Sequence, residues 1–368
     1  MNQEVAFFLP SLGAGGAEKC MLSLGKGMAA QKLDVSLLVS QAEGPYVGEA
    51  AGSLRLVDLK SRSVWKSIPR LVRYLRRERP GALISALEHA NVAALIAKQI
   101  SAVEIRTVVS THTMVSLMMR VNKRQVSNAM LRLIRLLYPR ADHVVAVSRA
   151  VASDLSEVTG LPEGAIRVIH NPVEAPKIFT MSRAPVNSTW FRPNEPPVVI
   201  AVGSLWPHKD QRTLIEAFSI ARRSRTMRLV ILGEGPQRPV LEKLLRQLHV
   251  EKDVLMPGFV ENPYCWMAKS NVFVLPSRWE GLPTVLVEAM ACGLPAVATD
   301  CPGGTSEILE GGRYGCLTPV GNAPAMAEAM LGLLDRPLDP ATLRKRAEDF
   351  SLEKAVAQYF DLVASPAS

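Results

Sequence analysis

Two glutamates eight positions apart, Glu280 and Glu288, stand in the window Pro276-Ser277-Arg278-Trp279-Glu280-Gly281-Leu282-Pro283-Thr284-Val285-Leu286-Val287-Glu288. An apolar run, Val272 to Leu275, enters this window, and an apolar helical pattern leaves it from about Pro283. The spacing predicts a strand, a Pro/Gly loop carrying Glu280, and a helix with Glu288 in its first turns. A helix N-terminus presents N–H groups without intrahelical partners and a partial positive charge, and both favour an anion such as phosphate. Carboxylates beside that anion accept hydrogen bonds from hydroxyls. The pattern suits a ligand with hydroxyls on both sides of a diphosphate, which is the layout of a nucleotide sugar.

The elements that must position these residues follow a repeated strand–helix pattern. Val5 to Leu9, Asp34 to Val39, Leu54 to Leu59, Ala82 to Ala86, Ile105 to Ser110, His143 to Val147 and Ile166 to Ile169 read as strands. A second set runs Val198 to Val202, Arg228 to Leu232, Asp253 to Met256, Val272 to Leu275, Pro295 to Thr299 and Cys316 to Thr318. Short apolar runs separated by helices indicate parallel sheets covered on both faces. Between the sets lies a proline-rich stretch with little periodicity, a domain-boundary signal. The expected division is a domain over 1–171, a linker over 172–197, a second domain over 198–349, and a final helix over 350–368. At 368 residues, 48% hydrophobic and 21% charged, the chain is long enough and apolar enough for two packed cores. Two doubly wound α/β domains bind ligands at the carboxyl ends of their strands.

The window around Glu280 resembles the Glu-x7-Glu motif of retaining glycosyltransferases of family 4, GT-B type: P-S-x-x-E-G, then a proline, then E-A-M-A-C-G-x-P. The similarity spans nearly the whole chain and is strongest over residues 198–310. It implies two Rossmann-like domains facing across a cleft, with the C-terminal helix crossing back to the first, which would hold the acceptor while the second holds the nucleotide sugar. Ser11-Leu12-Gly13-Ala14-Gly15-Gly16-Ala17-Glu18 resembles the family's first loop, where Gly16 would approach the donor phosphate. It lacks the third glycine of a dinucleotide fingerprint. Gly203-Ser204-Leu205-Trp206-Pro207-His208-Lys209 resembles the family's G-R-L-x-x-x-K, with Ser204 in place of the arginine. Lys209 would supply a point charge for a diphosphate, and Ser204 one neutral hydrogen bond. His112 would position the donor sugar. Gly235 and Phe259 lie in segments similar to the family's G-x-G-P and G-F turns, which line the nucleotide. Glu280 with Gly281 would hold the sugar, Glu288 the ribose, and the N–H groups of Thr284 and Val285 the leaving diphosphate. The catalytic expectation is Glu280, Lys209 and His112.

Charge is divided unevenly. Residues 1–180 hold 23 Lys and Arg against 14 Asp and Glu, whereas 181–368 hold 20 of each, so the first half carries the whole excess of +9. Two stretches concentrate it, Lys60 to Arg79 and Lys123 to Arg140. The first is expected to start a helix at Ser67 with Pro69 in its first turn, an inner stripe of Leu71, Val72 and Leu75, and an outer one of Arg70, Arg73 and Arg77. Basic amphipathic helices dock on anionic membranes, and a lipid-linked acceptor would account for both charge and location. Nucleic acid is not expected, since aromatic residues do not interleave with the charges.

Five cysteines without paired spacing fit a reducing compartment. No signal peptide and no span of ~18–20 apolar residues is visible, so a cytoplasmic protein at the inner face of the membrane is expected. The absence of Asp-x-Asp or a His/Cys cluster implies no metal and no cofactor beyond the nucleotide sugar. The expected activity is retaining transfer of a hexose or N-acetylhexosamine, from UDP most simply, to a membrane-associated glycan. The alternatives are a non-hydrolysing UDP-sugar 2-epimerase, which needs acid/base side chains not visible beyond His112, and a nucleotide-sugar-binding protein without catalysis.

Overall fold

The computed structural model describes residues 4–13, 15–121 and 127–364. By contacts the chain divides into two units, residues 1–172 with 352–368, and 173–351. The first contains seven strands: β1 (Glu4–Leu9), β2 (Asp34–Val39), β3 (Arg55–Asp58), β4 (Ala82–Ala86), β5 (Arg106–Thr111), β6 (His143–Ala146) and β7 (Ile166–Val168). All pair in parallel, in the order β3-β2-β1-β4-β5-β6-β7. Every residue of β1 and β4 is buried, as expected for strands covered by helices on both faces. One face packs Phe7, Leu37 and Ile84 with Met21 and Val356; the other packs Phe8, Leu38 and Leu83 with Leu71 and Ala93.

The second unit contains β8 (Val198–Val202), β9 (Arg228–Leu232), β10 (Val254–Gly258), β11 (Val272–Leu275), β12 (Ala296–Thr299) and β13 (Cys316–Thr318). Their order is β10-β9-β8-β11-β12-β13, again parallel. Phe218, Ile231, Val274 and Met330 occupy its core. Both units are doubly wound α/β folds.

Two expectations change in detail. Within the stretch read as a linker, helix Ala175–Ser182 belongs to the second unit, where the Met181 carbonyl accepts from Asn262 at 2.9 Å and Phe191 meets Trp266 edge-on at 5.7 Å. Pro176 stands in the first turn of that helix instead of keeping the chain extended. The basic helix spans Val64–Glu78, so its cap residue is Ser63 and not Ser67. Val64 is buried on the same face as Leu71 and Leu75, and Ser67 lies inside the helix with its hydroxyl donated to the Val64 carbonyl at 2.6 Å. Pro69 stays exposed on the outer face. In the other basic stretch, Lys123 and Arg124 lie outside the described residues; helix Asn128–Leu137 buries Met130, Ile134 and Leu137.

The final helix, Leu352–Ala364, is part of the first unit. Its Tyr359 hydroxyl donates to Ser110 Oγ at 3.0 Å, and Val356 and Leu362 join the first core. All five cysteines are free thiols.

Candidate active site

Following the chain through the second sheet, strand order reverses between β8 and β11. An open parallel sheet binds ligands outside the carboxyl ends of its strands at such a reversal. Lys209 and Glu280 stand on its two sides: Lys209 ends the turn Pro207–Lys209 that follows β8, and Glu280 lies in the loop that follows β11. Lys209 Nζ is 2.6 and 2.9 Å from the two Glu280 carboxylate oxygens. Ser277 Oγ donates to Glu280 Oε1 at 2.6 Å. An ammonium has three donors, so one N–H of Lys209 is left for a ligand.

The Glu280 loop is fixed to the loop after β12. Glu280 N–H donates to the Pro302 carbonyl at 3.0 Å, and Gly304 N–H to the Gly281 carbonyl at 2.8 Å. Gly303 has φ +125°, and a Cβ there would lie 2.0 Å from the Glu280 carbonyl oxygen, so this close approach requires glycine. On its other side, Arg278 N–H donates to the His208 carbonyl at 2.7 Å, Arg278 pairs with buried Asp210 at 3.0 Å, and Trp279 stacks on His208 with centroids 4.6 Å apart. Burial, and then the neighbouring Lys209 charge, push the His208 imidazole below its ordinary pKa, which leaves it neutral at pH 7.

The remaining donor-side residues gather at the same sheet edge. Leu205 N–H donates to the Glu234 carbonyl at 2.8 Å, and a Cβ on Gly235 would lie 2.7 Å from the Leu205 carbonyl oxygen. Gly233 N–H donates to the Gly258 carbonyl at 2.8 Å. The loops bearing Ser204, Gly235 and Phe259 are thereby joined, and Phe259 is 67% exposed. Helix Thr284–Ala291 starts without a side-chain cap, with Thr284 and Val285 in its first turn. Glu288 is buried one turn on, where Tyr264 Oη lies 3.3 Å from its Oε1.

Gly16 and His112 belong to the first unit. Gly16 opens the exposed start of helix Gly16–Ala30, and a Cβ there would meet nothing within 4 Å. His112 follows β5, with Nε2 3.0 Å from Ser110 Oγ. Burial pushes its pKa down to about 4 against a weaker opposing pull from Asn171, although no side chain among the described residues satisfies the buried Nδ1 in good hydrogen-bond geometry. The ring is neutral at pH 7.

Sequence reasoning missed Ser277, Tyr264 and the His208–Trp279 stack, which support the two glutamates and Lys209. Ser277 had a signal, since it sits three residues before Glu280 in the same loop; Tyr264 had none. It also missed Glu88. This buried residue opens the helix after β4, Oε1 has no partner among the described residues, and burial with Asp154 nearby raises its pKa to about 7.

Residues 14–175 match the family model described as Glycosyltransferase Family 4, and residues 196–336 that described as Glycosyl transferases group 1. The chain is 28% identical over 345 residues to the N-acetylgalactosamine-N,N'-diacetylbacillosaminyl-diphospho-undecaprenol 4-alpha-N-acetylgalactosaminyltransferase of Campylobacter jejuni, covering 90% of each. It is 30% identical over 237 residues to the lipopolysaccharide core biosynthesis glycosyltransferase LpsE of Rhizobium meliloti, covering 63% of this chain and 67% of that one. The HepE protein of Anabaena, solved in complex with UDP, superposes with a TM-score of 0.80 at 21% identity over 98% of this chain and 99% of that one. The fold is GT-B, that of a large class of glycosyltransferases. Within that class the chain belongs to glycosyltransferase family 4.

Proposed function

We propose that this glycosyltransferase is a retaining, metal-independent hexosyltransferase. In this reading it moves a hexose or N-acetylhexosamine from a UDP-sugar to a membrane-associated glycan acceptor. The observation that carries the reading is the Lys209–Glu280 pair at the β8/β11 reversal, beside the uncapped start of helix Thr284–Ala291. As the bond from sugar C1 to the diphosphate breaks, the acceptor oxygen bonds to C1 on the same face, and the acceptor proton passes to the departing phosphate oxygen. The free N–H of Lys209 and the amides of Thr284 and Val285 then face the growing negative charge, where fixed donors are most effective. Ser204 adds one neutral hydrogen bond. Glu280, beside Gly281, takes the sugar hydroxyls, and Glu288 the ribose. Gly235 and Phe259 line the base. Neutral His112 hydrogen-bonds the sugar, and Gly16 allows close approach of the ligand. In this scheme the lysine and the amides take the charge that a metal ion would otherwise neutralise.

Two comparisons support the substrates. The Campylobacter relative acts, by its name, on a diphospho-undecaprenol acceptor, and HepE was solved with UDP. Contact with the inner face of an anionic membrane is supported by the exposed basic side chains of helices Val64–Glu78 and Asn128–Leu137, among them Lys66, Arg73 and Arg132, with Leu136 exposed beside Arg132. Not every arginine is available for lipid: Arg70 donates to the Leu59 and Lys60 carbonyls, Arg76 to the Ile100 carbonyl, and Arg135 to the Val158 carbonyl. Among the described residues no helix is long and apolar enough to cross a membrane.

The test is a thermal-shift series with UDP, GDP, ADP and CMP in EDTA. UDP at a hundredfold excess over its Kd should stabilise by about 2.7 kcal/mol and raise Tm by roughly 5–10 °C. No shift with any nucleotide would overturn the donor site. With an acceptor in hand, NMR of the product should show the donor's anomeric configuration kept; inversion would overturn the retaining reading.

A further inference from the structure

Two hydrogen bonds of the first unit form one chain. The hydroxyl of Tyr359, on the final helix, meets Ser110 Oγ at 3.0 Å, and Ser110 Oγ meets His112 Nε2 at 3.0 Å. All three residues belong to the first unit, although Tyr359 lies 249 positions beyond Ser110. Ser110 stands near the end of β5 and is fully buried, and Tyr359 is buried as well. Buried hydroxyls must find their partners inside the protein, so the protons along this chain can be counted.

Burial raises the Tyr359 phenol pKa and lowers that of the His112 imidazole to about 4, so at pH 7 the phenol keeps its proton and the ring is neutral with one N–H. Tyr359 Oη has no other acceptor among the described residues, so its proton goes to Ser110 Oγ. A serine hydroxyl has one proton of its own, and the remaining neighbour of Ser110 Oγ is His112 Nε2. That proton needs a lone pair. Nε2 is therefore the bare nitrogen, and Nδ1 carries the ring proton. The reverse tautomer would set Nε2–H against Ser110 and strand one hydroxyl proton in the interior, a donor desolvated without compensation. The Asn171 side chain fits the same order: its hydrogen bond pulls the ring pKa upward, as an acceptor facing a ring N–H does, and Nδ1 is the nitrogen that Ser110 leaves open. Nδ1 still has no partner in good geometry among the described residues. A buried donor in that state is completed by a ligand or an ordered water.

We propose that Tyr359 and Ser110 hold His112 as its Nδ1–H tautomer, which makes the ring a fixed hydrogen-bond donor to the sugar and leaves it no free lone pair to act as a base. The proposal rests on the transferase reading and deepens it. With Nε2 capped by the Ser110 hydroxyl, the acceptor's proton leaves by another route, in keeping with its transfer to the departing phosphate oxygen. Tyr359 and Ser110 are positioning residues that act through His112. The final helix thereby has a task at the site besides covering the first core.

The experiment uses the full chain with isotope-labelled histidine and NMR of the imidazole nitrogens at pH 7, His112 being assigned from the signals lost in His112→Gln. The unaltered chain should show His112 with Nδ1 protonated and Nε2 bare. Tyr359→Phe removes one oxygen and frees the Ser110 hydroxyl to turn, so the two tautomers should mix. Ser110→Ala should mix them also, and Ser110→Thr should restore the single form. Calorimetry should show the transition of the first unit retained in Tyr359→Phe. Isothermal titration then compares UDP with UDP-glucose, UDP-galactose, UDP-N-acetylglucosamine and UDP-N-acetylgalactosamine. A ring divided equally between its tautomers is competent half the time, so affinity for the UDP-sugar that binds tightest should fall about twofold in Tyr359→Phe, while UDP, which lacks the sugar, binds unchanged. An Nε2–H ring in the unaltered chain, one unchanged tautomer in both Tyr359→Phe and Ser110→Ala, or undiminished UDP-sugar binding in a variant whose tautomers are mixed would overturn the proposal. If UDP does not bind the unaltered chain, the donor reading falls instead; the tautomer measurement needs no ligand, so the two failures are distinguishable.

Discussion

Replacing Glu280 by alanine removes a carboxylate that meets Lys209 Nζ at 2.6 and 2.9 Å and the Ser277 hydroxyl at 2.6 Å. The paired side chains are only 9% (Glu280) and 19% (Lys209) exposed, so Lys209 would stay charged in a site with little water. Removing one member of a buried pair costs about 3–5 kcal/mol. The residual exposure of Lys209 argues for the low end, about 3 kcal/mol. For a unit the size of residues 173–351, each kcal/mol moves Tm by roughly 2–4 °C, so its transition should fall by about 6–12 °C. Lys209→Met should cost a similar amount, because Ser277 alone remains beside the carboxylate. The double variant leaves neither charge unpaired and should recover about 2–3 kcal/mol relative to the sum of the single losses. Differential scanning calorimetry of the four chains measures the coupling, and a transfer assay runs alongside. Transfer should be lost in all three variants, since restored stability returns neither the sugar contact nor the phosphate donor. Additive stability losses would refute the tight pairing. Near-normal transfer by Glu280→Ala would refute the assignment of Glu280 to the sugar.

Three further outcomes follow from the geometry. Glu88 has a folded pKa of about 7 against an ordinary value of 4.5, so below pH 4.5 both folded and unfolded chains hold the proton; as pH rises from 4.5 to about 7 the unfolded chain ionises first and the folded state loses about 3 kcal/mol relative to it, a loss that levels off above pH 7; Glu88→Gln should therefore raise the Tm of the first unit at pH 8 and change little at pH 4.5, and an equal effect at both pH values would refute the buried neutral acid. Gly303→Ala places a methyl group 2.0 Å from the Glu280 carbonyl at a φ of +125°; the Glu280 loop must move, and isothermal titration should show UDP-sugar affinity reduced at least tenfold, with unchanged affinity counting against the loop's role. Replacing Lys66, Arg73 and Arg77 by glutamine should reduce co-sedimentation with vesicles containing anionic lipid, at about 1 kcal/mol per charge; equal binding of the unaltered chain to neutral and anionic vesicles would refute membrane docking through this helix.

The central strands were legible because parallel strands buried on both faces read as short apolar runs between helices, as in Val272 to Leu275 and Ala82 to Ala86. Helix starts were less legible. Ser63 and Ser67 are both plausible caps, and the choice depends on whether Val64 reaches the core, which is a tertiary fact. The proline-rich stretch concealed helix Ala175–Ser182, because proline also favours the first turn of a helix.

The candidate site shows the same division between local and long-range information. Glu280, Lys209 and Glu288 could be singled out because each sits on a loop or helix start whose local sequence announces it. That Lys209 and Glu280 bond to each other, across 71 positions of chain, could not be read from either segment. It follows from the strand order, which sets β8 beside β11 and so brings the ends of two distant segments together. The same order in the first sheet sets β1 beside β4 and brings Ser11 and His89 to one cavity. His89 drew no attention as a lone histidine after Glu88. Only the strand reversal makes its unpartnered ring part of a lined pocket with Trp65 and Arg62. Two sheets of the same winding thus form their pockets by the same rule, and their linings set the chemistry apart. The second sheet places a lysine, backbone amides and two carboxylates at its reversal, groups matched to a diphosphate flanked by hydroxyls. The first places an indole, an imidazole, a guanidinium and the Glu43 carboxylate there.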